Sequence, residues 1–226
     1  MDDRKLKDRM REELRKLKAL SWKARIAYVW DYYKLQMVIL VVIILAVNLA
    51  FTIYHNLQID TLLYVCMVNC NTYYVDSEAL TADYTEYLGG IGDKEEISID
   101  TSILLDEEDY STSYANQMKF TAVISAQMAD VILMDAENFE EYAGWSYFMD
   151  LRDIFSEEQL EQWSDLLVYM ENEEGESAPY AIDLANAPKL LEYSVYPDDG
   201  TVYGGVVVNG VNIDATAEFF DWLFSE

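Results

Sequence analysis

From Leu35 to Ile59 no Asp, Glu, Lys or Arg interrupts the chain, and the centre of this stretch, 37–51, reads MVILVVIILAVNLAF. A bilayer core needs about 20 predominantly apolar residues. Residues 35–54 are therefore predicted to form a transmembrane helix, with Asn48 as the strongly polar group near its outer end. Upstream, Leu6, Met10, Leu14 and Leu17 recur at helical spacing and predict one amphipathic stripe. Opposite charges four apart, such as Asp3–Lys7 and Glu12–Lys16, support that helix. Trp22, Tyr28, Trp30, Tyr32 and Tyr33 then form a belt of the kind that favours the headgroup region.

Downstream the pattern changes to alternating strands and helices. Strands are predicted at 60–69, 96–105, 129–135 and 202–209, with weaker ones at 166–170 and 178–182. Helices are predicted at 76–88, 110–128, 137–142, 156–163 and 214–224. The third strand, ADVILMD, is almost wholly apolar, as in a sheet covered on both faces. In the strand VYGGVVVN, Gly204 and Gly205 predict a bulge or a close approach. This alternation argues an α/β domain with a mainly parallel sheet.

Charge gives the chain a direction. The first 34 residues hold eleven basic and six acidic side chains, a net of +5. The remainder holds four basic and 36 acidic ones, a net of −32. Lys and Arg beside a span stay on the cytoplasmic side. The expected organisation is a cytoplasmic basic amphipathic segment at 1–34, a transmembrane helix at 35–54, a short linker at 55–59 and an acidic extracytoplasmic domain at 60–226. A cleaved signal peptide fits less well, because the charged region is long and no A-x-A site follows the apolar run. An uncleaved signal anchor in a cell membrane is the expectation, with the domain held close to the membrane surface.

The run ADVILMDAENFEEYAGWSYFMDLRDIF (129–155) resembles the middle of the bacterial extracellular solute-binding proteins of ABC transporters. In that family a strand ending in Asp is followed by a helix, an aromatic turn and a "DL" segment. The terminal VYGGVVVNGVNIDATAEFFDWLF (202–224) is similar to the family's strand that returns through the hinge and the helix after it. The resemblance covers residues 60–226 in order of elements. The domain has about half the length that two ligand-trapping lobes need, so the resemblance implies a reduced, membrane-anchored single lobe.

The residues remove much catalytic equipment. His55, the one histidine, lies at the edge of the apolar run, which leaves no Ser-His-Asp or Cys-His pair for the domain. Zinc sites that need histidine, or four cysteines, lack their ligands. Gly89–Gly92 is not followed by the Lys-Ser/Thr of a phosphate loop and is expected to end a helix. The net charge opposes nucleic acid. Acidic runs at 106–109 and 171–176 lack calcium-loop spacing and read as solvated loops, and Asp198-Asp199-Gly200 reads as a turn. Four residues of extended strand cover about 13 Å, whereas disulfide-linked Cα atoms lie about 4.4–6.8 Å apart. A disulfide between Cys66 and Cys70 thus requires the chain to turn after Cys66.

Ligands of parallel α/β sheets bind beyond the carboxyl ends of strands. On that basis Asn69, Asn71, Tyr73, Asp135, Trp145 and Asn209 are the candidate ligand-binding residues. No catalytic residue, metal ligand or cofactor is assigned, and the chain is expected not to be an enzyme. The leading expectation is a binding or interaction domain, with membrane lipid and a membrane-protein partner such as a transporter. A small-molecule ligand is left open. The alternative is a structural or regulatory subunit of a membrane complex with no small ligand.

Overall fold

The computed structural model describes residues 15, 21–56, 58–71, 74–105, 110–171, 175–197 and 200–225. The stripe at 6–17, Tyr73, the acidic run at 106–109, the middle of that at 171–176 and the Asp198-Asp199 turn lie outside these residues. The chain divides into two compact units, Met1–Gln58 and Ile59–Glu226.

In the first unit, helix α1 runs from Trp22 to Asn56 without a break. Its apolar part, Lys34–His55, has 22 residues, a mean hydropathy of 2.7 and no buried side chain. At 1.5 Å per residue it is about 33 Å long, enough for a hydrocarbon core of about 30 Å. A core helix of a soluble protein turns its apolar side to other elements; this one is apolar all round and open all round. Asn48 donates its side-chain N–H to the Ile44 carbonyl at 3.0 Å, so this amide is satisfied within the helix.

The second unit is an α/β domain. Its strands are β1 (Asp60–Val68), β2 (Glu95–Ile103), β3 (Val131–Asp135), β4 (Leu167–Glu171), β5 (Ser177–Asp183) and β6 (Val202–Val206). Its helices are α2 (Ser77–Tyr87), α3 (Tyr110–Ser125), α4 (Ala136–Gly144), α5 (Glu157–Gln162), α6 (Pro188–Glu192) and α7 (Thr216–Leu223). The order in the sheet is β2-β1-β3-β6-β5-β4. β1 pairs in parallel with β2 and β3, whereas the β3–β6, β6–β5 and β5–β4 pairs are antiparallel. Four of the six strands thus run one way, as the expected mainly parallel sheet requires, and two run the other, so the sheet is mixed.

Connection length explains one of these pairings: β4 and β5 are joined by a short link, which permits only antiparallel pairing. β6 also returns antiparallel beside β5, and among the described residues the connection between them holds the five-residue α6.

Period-two alternation splits the core between the two faces of the sheet. Leu63, Val65 and Met67 of β1 join Leu133, Phe219, Phe220 and Trp222 on one face. Cys66 and Val68 join Ile132, Phe120, Phe139 and Phe148 on the other. The Gly204-Gly205 pair is a close approach on both. A Cβ on Gly204 would lie 2.7 Å from Leu184 Cδ1, and one on Gly205 2.6 Å from Phe139 Cζ. Those two hydrogens let Phe220 close on one face and the stacked Phe139–Phe148 pair, 4.0 Å between centroids, close on the other.

Candidate binding surfaces

The carboxyl ends of β1, β2 and β3 converge on Asn69. This residue ends β1 in the left-handed region, φ 55°, which asparagine tolerates better than most side chains. Its Oδ1 accepts the Leu105 backbone N–H at 2.6 Å, beyond β2, and its Nδ2 donates to Asp135 Oδ2 at 2.8 Å, at the end of β3. Asp135 caps α4: its Oδ1 accepts the Asn138 backbone N–H at 3.0 Å, and the Asn138 amide donates to both carboxylate oxygens. Asn71 stands in the same loop. Its N–H donates to the Val195 carbonyl at 2.8 Å, and its own carbonyl accepts from Tyr74. Below them Tyr196, buried, donates its hydroxyl to the Leu133 carbonyl at 3.0 Å. Burial pushes the Tyr196 hydroxyl well above its ordinary pKa.

Asn69, Asn71 and Asp135 are thus brought together at the predicted edge. Asn138 was missed, although its place three residues after Asp135 is the spacing of a cap partner. The cluster is closed by its own hydrogen bonds: its geometry is a clasp on three strand ends. Trp145 and Asn209 do not belong to it. β6 is antiparallel to β3, with Val206 opposite Val131, so the residues after β6 lie at the amino end of β3. α4 likewise descends from Asp135 and delivers Trp145 to that opposite edge, where Val208 donates its N–H to the Tyr147 carbonyl. The sequence pattern carried no sign of strand direction, which is why these two residues were grouped with the others.

Cys66 and Cys70 are free, buried thiols. Positive φ at Asn69 turns the chain, so Cys66 packs on the α3 face and Cys70 on the opposite one. The turn needed for a disulfide is present but carries the sulfurs apart. Cys70 Sγ donates to the Thr101 carbonyl at 3.1 Å, and burial pushes its thiol up to about 11.

A groove of about 670 Å³ lies between α2 and the edge strand β2. Ile97 and Ile99 line its apolar part, and Glu78 and Glu86 supply its charge. The Thr81 and Thr85 hydroxyls donate to helix carbonyls one turn back, which leaves the groove little directional polarity. On the reverse face of β2, Asp100 joins Lys119 at 2.8 Å, the Tyr64 hydroxyl at 3.1 Å and the Ser102 hydroxyl at 2.5 Å. Lys119 also donates to Ser102. The serine proton points at a carboxylate, not at an amine base, so the arrangement is a strut between β2 and α3. Arg152 pairs with Asp150, and Lys189 bridges α6 to Asp83 of α2 at 2.9 Å.

The amino edge has its own polar centre. Asp130, fully buried, accepts N–H bonds from Tyr64 at 2.9 Å, Val211 at 2.8 Å, Asn212 at 2.7 Å and the Asn212 side chain at 3.1 Å. One carboxylate joins the first strand, the third strand and the loop after β6. In the sequence it is only the Asp before an apolar strand, and its role was not legible there.

No family model matches the chain, and neither curated proteins nor solved structures yield a significant match.

Proposed function

We propose that this chain is a membrane-anchored binding or interaction domain, displayed on the extracytoplasmic face of a bacterial cell and built on one lobe of a solute-binding fold. The observation that carries the reading is the exposed apolar segment Lys34–His55, flanked by a basic arm and an acidic domain. Its uniformly open surface is at home in lipid, and the charge difference sets the basic arm inside. The solute-binding part of the reading rests on the order of elements and on β6, which runs antiparallel beside β3. The α2–β2 groove is large enough for a ligand or a peptide.

Topology reporters test the anchoring. Alkaline phosphatase fused after residue 226 should be active, and a green fluorescent protein in the same place should be dark. The reverse pattern would overturn the proposal. Thermal-shift measurements on the purified full chain with sugars, amino acids, peptides and metal ions test for a soluble ligand. A second reading, a subunit of a membrane complex with no small ligand, is favoured by the self-satisfied Asn69–Asp135–Asn138 clasp. A partner crosslinked in native membranes, with no thermal shift from any compound, selects it.

A further inference from the structure

One wall of the α2–β2 groove is the edge of the sheet. β1 lies on one side of β2 and, among the described residues, no strand lies on the other. The register with β1 is unbroken from Leu63 opposite Ile97 to Cys66 opposite Asp100. Tyr64 turns its backbone N–H and carbonyl to Asp130, on the β3 side of β1. Leu63 and Val65 therefore serve β2, and in a parallel pair each bonds the residues on either side of its partner. Asp60 does so with Lys94, the residue before its partner Glu95. The partners of Leu63 and Val65 are Ile97 and Ile99, so these two point their own N–H and carbonyl groups away from the sheet. Such groups on an edge strand are a template for a further strand.

The other wall is α2. Glu78, Ala82 and Glu86 recur every four residues and form one stripe of the helix, with Thr81 and Thr85 beside it. The threonine hydroxyls are used within the helix, so the middle of this wall is apolar and only its ends are charged. Eight residues of helix set Glu78 and Glu86 about 12 Å apart along its axis. No Lys or Arg lines the groove. The directional groups that the threonines withhold come from the backbone of Ile97 and Ile99.

An extended chain laid on β2 matches both walls. Its backbone meets the outward N–H and carbonyl groups, and its side chains on the α2 face recur about every 6.8 Å. Residues four apart on it are then separated by about 13 Å, close to the spacing of the two glutamates. We infer that the α2–β2 groove takes an extended segment of another protein as an added strand on β2, with Lys or Arg at two positions four apart meeting Glu78 and Glu86, and an apolar residue midway between them. This mode draws its affinity from main-chain bonds and its specificity from alternate side chains. A second copy of this chain fits poorly, because it brings a domain of net charge −32 against a groove whose charges are already negative. The inference rests on the binding-domain reading above and not on the anchoring.

The test pans random heptapeptides displayed on phage against the full chain in detergent. Enriched sequences should carry Lys or Arg at i and i+4 with an apolar residue at i+2. A synthetic peptide of that sequence should bind the double variant Glu78→Lys, Glu86→Lys about tenfold or more weakly. N-methylation of its alternate amides, which keeps the side chains and removes the main-chain donors, should abolish binding. On binding, hydrogen exchange should slow at the Ile97 and Ile99 amides and stay unchanged at Tyr169 on the other edge strand, β4. Enriched peptides that lack the basic pair, or that leave Ile97 and Ile99 unprotected, would overturn the inference and leave a binding domain standing. No enriched peptide would also overturn it, and if no compound shifts the melting temperature either, the reading as a ligand-binding domain falls with it.

Discussion

Removal of the Asp130 carboxylate is the sharpest test of the fold. The group is fully buried and receives four N–H donors from Tyr64, Val211 and Asn212, with no cation among them. Its negative charge is therefore stabilised by oriented N–H dipoles alone. A hydrogen bond to a charged group contributes roughly 1.5–3 kcal/mol. Four such bonds would suggest about 6–12 kcal/mol, but that range is an upper bound. The neighbouring cavity of about 280 Å³ is lined by Tyr64 and Asn212, so water can reach some of the orphaned donors. The expected loss for Asp130→Ala is about 3–5 kcal/mol, a third or more of a typical domain's stability. Asp130→Asn keeps the size and one acceptor oxygen but turns an NH₂ towards N–H donors, and should cost about 2–3 kcal/mol. Urea unfolding of the full chain in detergent, followed by core tryptophan fluorescence, gives both values. Hydrogen exchange should show the lost protection first at the Tyr64, Val211 and Asn212 amides. A cost below about 1 kcal/mol for Asp130→Ala, or a larger cost for Asn than for Ala, would refute the reasoning.

Asp100 should give the α/β domain an acid-side pH dependence. Burial alone would raise its carboxyl, but hydrogen bonds from Lys119 and Ser102 and the Lys119 charge outweigh it and bring the pKa down to about 2. The folded state then binds the proton less tightly than the unfolded chain, so this stability is present above about pH 4 and is lost as pH falls towards 2. Because Lys119 is well exposed, about 1 kcal/mol is expected; the difference between wild type and Lys119→Met in thermal melts should shrink between about pH 5 and pH 2.5, and a constant difference would refute it. Gly205→Ala should cost about 1–3 kcal/mol in urea unfolding, because its methyl group meets Phe139 while Phe148 blocks that ring's retreat; a neutral substitution would show that the stack yields. Leu45→Arg at the middle of the apolar helix should reduce membrane insertion by about 2.5–3.5 kcal/mol, read as the glycosylated fraction in a microsomal assay, and unchanged insertion would refute a span at this position. Thiol titration should find Cys66 and Cys70 unreactive in the native protein and both reactive after denaturation without reductant. Recovery of no thiol on denaturation would mean that they are paired.

The one-dimensional pattern determined the elements whose signal is local. Twenty-five consecutive residues without Asp, Glu, Lys or Arg, Leu35 to Ile59, contain a stretch that passes the length test for a span wherever the rest of the chain goes. The apolar run at 131–134, the alternation at 97–103 and the paired aromatics at 219–222 each form the expected strand or helix, because period-two and helical burial are properties of neighbours in sequence. Asn69, Asn71 and Asp135 were legible together because each follows or ends a predicted strand, and β1 and β3 run parallel. The adjacent Gly204 and Gly205 announced a bulge or a close approach, but not which rings would fill it. Tertiary structure alone decided the direction of β6, and with it the opposite placement of Trp145 and Asn209. It alone turned Asn69 to positive φ, sending Cys66 and Cys70 to different faces. It alone assembled four N–H donors around Asp130 from segments 66 and 81 residues away. The physical reason is the same in each case. Hydrophobic periodicity records which side of an element is covered, whereas strand direction and polar satisfaction depend on which distant backbone comes to lie alongside it.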